Sequence, residues 1–390
     1  MEIKFLTAES VCEGHPDKLC DLIADSVLDA CLREDRASRV ACEVMATKGK
    51  IIVAGEITCN GQVDIKRIVR NTLQKIGYNP LKFRILILVH TQSSDIANGV
   101  DNALESRNGD KSWYSSLGAG DQGTMYGYAT DETREMLPLP IVLANRITKR
   151  IDETRHDGLI KSIKPDGKAQ VTIEYQDGKP TRVKTIIVSV QHDSTKSLDE
   201  LNKDIFSHVL WKCFEDFPFD DKTEVLINPS GRFVVGGPDA DTGLTGRKLM
   251  VDTYGGLAAH GGGAFCGKDA TKVDRSAAYM ARNIAKHIVW CGFAKKCQVN
   301  IAYAIGKADP VAVDINTFGT GKVSDEILRR AVMEVWCLRP AAIIELLNLR
   351  FPRYSKTAVY GHFSSCLYPW EIVGKSKELK EAVKKLEQDN

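Results

Sequence analysis

The stretch GGGAFCGKDATKVDR, residues 261–275, gathers the residues best suited to handling phosphate. Gly261, Gly262, Gly263 and Gly267 have no side chains, so backbone N–H groups there can approach an anion closely. Lys268, Lys272 and Arg275 add positive charge, and Asp274 can hold a divalent metal beside them. Gly262 to Lys268 fits the spacing of a P-loop, but Asp269 follows where a P-loop needs Ser or Thr for Mg2+. The preceding VDTYGGLAAH is broken by glycines and makes a poor buried strand. The stretch therefore points to phosphate chemistry by another arrangement.

Three further segments carry chemistry. EGHPDKLCDLIADSVLDACLRED predicts a helix that opens at Pro16, with Leu19, Ile23, Val27 and Ala30 on its buried face. His15 then stands at the helix mouth, where backbone N–H groups favour a phosphate. Asp17 in the first turn either joins that site or simply complements the helix dipole. GAGDQG at 118–123 matches G-x-G-x-x-G, but KSWYSSL before it and TMYGYATDET after it are not the strand and helix of a dinucleotide site. It reads as a glycine-rich binding loop that displays Asp121. GGPDADTGLTGRKLMVDTYGG carries Asp241 and the pair Arg247–Lys248 between glycines. KPDGK at 164–168 has the composition of an ordinary turn.

The elements that must position these segments repeat. ACEVMATKGKIIVAGEITC, AQVTIEYQDGKPTRVKTIIVSVQ and CQVNIAYAIGKADPVAVDINTF each read as a β-hairpin with a Gly-containing turn. Each precedes an amphipathic helix, with apolar positions at Ile65, Ile68, Val69, Thr72 and Ile76, then Leu198, Leu201, Ile205 and Val209, then Ile327, Leu328, Ala331, Val332 and Val335. Ser197 and Glu200 form a capping box for the second helix. The hairpins start near residues 42, 169 and 297, intervals of 127 and 128 residues. That regularity predicts an α+β chain of three similar domains in pseudo-threefold relation, with helices on one sheet face and the other face free to bury against a neighbour. The expected limits are 1–101, a lid at 102–117, 118–232, 233–372 and a polar tail at 373–390 that frays as a solvated helix.

Composition narrows the partners. The chain of 390 residues is 43% hydrophobic and 27% charged, which excludes disorder and allows several cores. A net charge of +2 gives no global field for nucleic acid. No apolar run approaches the ~20 residues of a membrane span, and MEIKFLTAES lacks the pattern of a signal peptide. Eleven cysteines scattered singly suit a reduced, cytoplasmic compartment.

Together EGHPDK, GAGDQG, GGPDADTGLTGRK and GGGAFCGKDATKVDRSAAY resemble the methionine adenosyltransferase (S-adenosylmethionine synthetase) family, in the family's order and from about Phe5 to Trp370. The resemblance implies a fold of three similar domains and a homodimer or homotetramer with active sites at the dimer interface. It implies that methionine sulfur attacks C5′ of ATP, and that the released triphosphate is hydrolysed to diphosphate and phosphate. His15 is then expected at the leaving oxygen, with Lys168, Arg247, Lys248, Lys268 and Lys272 around the phosphates. Asp17 and Asp274 are expected to carry Mg2+, and Glu43 K+. Asp166, Arg232, Phe233, Asp241 and Ala264 are expected at ATP, with Phe233 on adenine. Glu56, Asn98, Asp121, Asp241, Lys272 and Ile305 are expected toward L-methionine. Asn98 stands where the family usually has Gln, and Ser94 where it usually has Pro. Without the resemblance, an ATP-dependent kinase or ligase and a non-catalytic binding subunit stay open.

Overall fold

Three hairpins form where the sequence predicts them, and each is the core of a separate sheet. The computed structural model describes residues 2–93 and 101–389. Strand β1 (Ile3–Val11) leads into α1 (Pro16–Glu34), the hairpin β2 (Arg39–Thr47) and β3 (Lys50–Thr58), then α2 (Ile65–Ile76) and β4 (Arg84–His90). The order returns as β5 (Gly123–Thr130), α3 (Leu139–His156), β6 (Ile163–Gln176), β7 (Lys179–His192), α4 (Leu198–Ile205) and β8 (Glu224–Ile227). It returns again as β9 (Gly243–Leu244), α5 (Val273–Trp290), β10 (Lys296–Tyr303), β11 (Ala312–Asn316) and α6 (Asp325–Val335). Helices α7 (Pro340–Leu346) and α8 (Ser376–Gln388) follow.

The first strand of each repeat leaves its own hairpin. β1 pairs antiparallel with β6 of the second repeat, β5 with β10 of the third, and β9 with β2 of the first. The exchange runs in a closed cycle, so no repeat completes its sheet alone. The sheets are β4-β3-β2-β9, β1-β6-β7-β8 and β11-β10-β5.

Alternation decides which face is covered. Val40, Cys42, Val44 and Ala46 of β2 are buried, as are Ala169, Val171, Ile173 and Tyr175 of β6 and Cys297, Val299, Ile301 and Tyr303 of β10. Helices α1, α3 and α5 pack on these strands. The opposite faces are open: Glu43 is exposed on β2, Phe5 on β1, and Leu88 of β4 is 62% exposed. At the β6–β7 turn Asp177 and Gly178 both take positive φ, 49° and 80°, as two-residue hairpin loops favour. The capping box of α4 forms, with the Glu200 N–H donating to Ser197 Oγ at 3.2 Å and the Ser197 N–H to Glu200 Oε2 at 3.0 Å. That helix continues as a π-helical turn over Phe206–Leu210.

Two local readings need correction. KPDGK is not a turn: it lies inside β6, where the register against β7 shifts between Ile163 and Gly167. The bulge supplies the bend that its Pro and Gly suggested. The C-terminal segment does not fray in solvent either. α8 buries Leu379, Ala382, Val383 and Leu386, a four-residue stripe at helical spacing, and packs on α6 and α5. Its surplus of Lys and Glu hides that stripe in a composition-based reading.

Candidate active site

The motif segments are far apart in sequence, and α1 is the element that joins them. Pro16 fills its first position and His15 is its N-cap, accepting the Asp17 N–H on Nδ1 at 3.2 Å. Four aspartates follow at intervals of four residues, so they share one stripe of the helix. Asp17 Oδ1 accepts the Leu244 N–H at 3.0 Å, Asp21 Oδ1 the Gly246 N–H at 2.9 Å, and Asp25 Oδ1 the Gly267 N–H at 2.8 Å. Asp29 accepts the N–H groups of Tyr354 and Ser355. A buried carboxylate that accepts a backbone N–H satisfies both groups, which burial would otherwise penalise. This comb fixes the 244–246 and 267 segments to one rigid helix.

Backbone contacts complete the assembly. A Cβ on Gly243 would stand 2.1 Å from the Pro16 oxygen, and one on Gly267 2.0 Å from the Cys42 oxygen. Both positions therefore need glycine for close approach. The 267–269 segment runs along β2, with Cys42 N–H donating to the Gly267 oxygen and Asp269 N–H to the Val40 oxygen. Asp269, which breaks the P-loop pattern, is structural: its carboxylate accepts the Val40 N–H at 2.6 Å and the Thr271 N–H at 2.9 Å. Ala119 of the GAGDQG loop exchanges backbone hydrogen bonds with Gly306 and Lys307. Residues 102–117, where the sequence predicts a lid, are seated on the same 304–310 loop: Glu105 accepts the N–H groups of Ala308 and Asp309.

The glycines of 261–267 serve this packing more than an anion. Gly267 N–H is taken by Asp25 and Gly262 N–H by His260 Nδ1. Arg275 also departs from its sequence reading. It is 1% exposed, bonds Asp25 through both guanidinium ends at 2.8 Å, and stacks on Tyr354. It is a strut beneath the site and does not face solvent.

Around the mouth of α1 the charges pair closely. Lys248 Nζ lies 2.6 Å from Asp17 Oδ2, and Arg247 Nε lies 3.7 Å from Asp17 Oδ1. Asp17 is therefore more than a partner for the helix dipole; the Lys248 and Leu244 hydrogen bonds hold its carboxyl below the usual range despite burial. Lys268 pairs with Asp274 at 2.7 Å, and Lys272 with Asp269. Burial, then the charges of Lys248 and Lys168, lower the His15 pKa to about 3. His15 is thus neutral near pH 7. Because Nδ1 accepts from Asp17 N–H, the proton sits on Nε2, which has no hydrogen-bond partner among the described residues.

The remaining candidates divide in two. Asp166 is buried, and its Oδ2 accepts the Gly237 N–H at 2.7 Å, which fixes the loop bearing Asp241. Phe233 exchanges backbone and ring hydrogen bonds with His192. Lys168, Arg232, Asp241, Arg247 and Asp121 are exposed, and Ala264 is half-buried. Glu43 and Ile305 lie on open surface, Ile305 being 54% exposed, whereas Glu56 is half-buried and meets His90 at 3.2 Å. No hydrogen bond or ion pair joins Glu56, Asp121 or Ile305 to the His15 group among the described residues. Asn98 lies outside the described residues.

Sequence reasoning missed Asp21, Asp25, Asp29 and Lys18. The signal was present: aspartates every fourth residue on a helix whose remaining positions are mostly apolar. Lys18 is fully buried between Asp21 and Asp252. Asp252, Cys266 and His362 are the one trio of metal-ligand types that converges among the described residues. Lys18 already bonds the Asp252 carboxylate, and His362 bonds Tyr279, so the trio is a hydrogen-bonded core and not a metal cage.

Comparison with known proteins covers nearly the whole chain. Residues 4–99, 116–233 and 235–372 match the N-terminal, central and C-terminal domains of S-adenosylmethionine synthetase. A protein of Clostridium tetani (strain Massachusetts / E88) named S-adenosylmethionine synthase is 51% identical over 389 residues, covering 97% of this chain and all of that protein.

Proposed function

Because this chain belongs to the S-adenosylmethionine synthetase family and is therefore a methionine adenosyltransferase, we propose how its residues join ATP to L-methionine. The observation that carries the reading is the carboxylate comb of α1, which ties the segments bearing Arg247, Lys248 and Lys268 to the helix that His15 caps.

The methionine sulfur attacks C5′ with a lone pair, the C5′–O bond breaks, and triphosphate leaves with the bonding electrons. A thioether has no proton to lose, so no general base is needed. The step needs alignment of sulfur, C5′ and oxygen, and stabilisation of the negative charge that grows on the leaving group. Neutral His15 donates its Nε2 proton as a hydrogen bond to that oxygen. Lys168, Arg247, Lys248, Lys268 and Lys272 take the triphosphate; three of these now rest on Asp17, Asp274 and Asp269, and exchange those partners for phosphate. The same cations retain the triphosphate for hydrolysis to diphosphate and phosphate. Asp166, Arg232, Phe233, Asp241 and Ala264 hold the nucleoside end.

Asp17 and Asp274 offer hard carboxylate oxygens, and no third ligand gathers at either among the described residues. That donor set fits Mg2+ held by one or two carboxylates plus substrate phosphates. When bound, Mg2+ supplies neutralisation of triphosphate charge; Glu43 would hold K+.

The open sheet faces support a homodimer or dimer of dimers. Asp121 and Ile305 are exposed and Glu56 only half-buried in one chain, so a second copy would close the methionine end. Eleven free cysteines favour a reducing, cytoplasmic compartment.

Incubation with ATP, L-methionine, Mg2+ and K+ tests the reading. Mass analysis should find a sulfonium product with equal amounts of diphosphate and phosphate. ADP or AMP with an activated acid would replace it by a kinase or ligase reading.

A further inference from the structure

We infer that Asp152, Arg155 and Tyr78 form a positioning bracket that holds the Glu13–Gly14 turn and so sets His15 for reaction. The inference rests on the catalytic role proposed for His15 and deepens it. The turn joins β1 to α1, and three of its polar groups, the Glu13 N–H, the Glu13 carboxylate and the Gly14 oxygen, are held from outside α1. Asp152 Oδ2, on α3 of the second repeat, accepts the Glu13 N–H at 2.9 Å. The same oxygen accepts the Tyr360 hydroxyl proton at 2.8 Å, which prevents the carboxylate from swinging away. Arg155, one helical turn later, donates to Glu13 Oε1 at 2.5 Å and to the Ile76 oxygen at 2.7 Å. It thereby bolts the turn to the C-terminus of α2. Tyr78, just past that terminus, donates its hydroxyl to the Gly14 oxygen at 2.6 Å.

Asp152 is 2% exposed and Glu13 8% exposed, so these bonds have little competition from water. A buried ionic cluster adds little net stability compared with apolar packing. Its use here is geometric. It ties residue 13 to one repeat and residue 14 to another, immediately before the residue whose ring must meet the leaving oxygen. The α1 N-cap bond then fixes the ring itself. Displacement of a reacting group by about 1 Å can cost about a hundredfold in rate.

The test is steady-state kinetics of the full chain with ATP and L-methionine, with the Tm recorded for each variant. Tyr78→Phe removes one hydroxyl without disturbing the fold, and Asp152→Ala removes the Glu13 acceptor. Both should lower kcat by about tenfold or more, with KM for ATP and methionine changed less than about threefold. Asp152→Asn keeps an oxygen for the Glu13 N–H and should restore kcat to within about threefold of the parent. In a His15→Ala background, Tyr78→Phe should cause no further loss, because the group it positions is gone. If Tyr78→Phe and Asp152→Ala both keep kcat within twofold while His15→Ala is crippled, the bracket is refuted and the role of His15 stands. The bracket is equally refuted if the losses multiply in the double variant. If His15→Ala itself keeps parental kcat, the role proposed for His15 fails and the bracket falls with it.

Discussion

Replacing Arg275 by Met should destabilise the protein far more than a surface change, because it strands a buried charge. Asp25 is 0% exposed, and Arg275 bonds both its oxygens at 2.8 Å. The Gly267 N–H is the other donor to Asp25. Burial pushes the Asp25 carboxyl up, and the guanidinium is the main force opposing that shift. Met keeps the aliphatic length beneath Tyr354 but provides no charge. Breaking one partner of a buried pair costs about 3–5 kcal/mol. At about 2–4 °C per kcal/mol for a domain of this order, Tm should fall by roughly 10 °C. The stranded carboxyl can escape only by taking a proton, so the variant should regain stability as pH falls. Asp25→Asn added to Arg275→Met leaves no buried charge and keeps an acceptor for Gly267, so the double variant should recover part of the loss. Thermal melts at pH 8 and pH 5.5 with all three proteins provide the measurement. A Tm within about 2 °C of the parent for Arg275→Met, or a double variant that loses the sum of both effects, would refute the reasoning.

Other consequences can be checked separately. His15→Ala should lower kcat at least ~100-fold, the scale of losing one transition-state donor, and near-parental kcat would remove His15 from the chemistry. Burial, then the Glu13 charge, raises the Asp152 carboxyl to about 6. Between about pH 4 and 6 the folded chain therefore binds a proton that the unfolded chain has released, and stability falls as pH rises through that window. Asp152→Asn should remove up to ~1.4 kcal/mol per pH unit of that slope in urea titrations; an unchanged slope contradicts the assignment. Leu88→Glu on the open face of β4 should dissociate the proposed oligomer in sedimentation and abolish activity together, whereas an active monomer would exclude a shared site.

The fold was legible where its signals are local. Hairpins with Gly-containing turns, helical apolar stripes and the Ser197 cap are short-range patterns, and their equal spacing exposed the threefold repeat. The exchange of β1, β5 and β9 was hidden, because a lone strand carries its alternation but not the address of its partner. The site followed the same division. Glycine and charge clusters marked the phosphate segments, yet the same reading put Arg275 among the phosphate cations and Asp269 in a failed motif. Both are buried and tie 267–269 to its neighbours. Asp21 and Asp25 lie beyond the first turn of α1, where neither the helix dipole nor a glycine motif singles them out. Only the glycine segments packed against α1 reveal what those carboxylates hold.

The central claim is direct attack of sulfur on C5′, with triphosphate leaving from the opposite side. Among the residues around His15, lysine, arginine and aspartate side chains pair with one another, and none is assigned a covalent step. ATP made chiral at C5′ with deuterium, converted by the intact enzyme and analysed at the sulfonium product, reports the outcome. Inversion at C5′ is the predicted result; retention, which requires a second displacement through an enzyme-bound adenosyl group, would contradict the account.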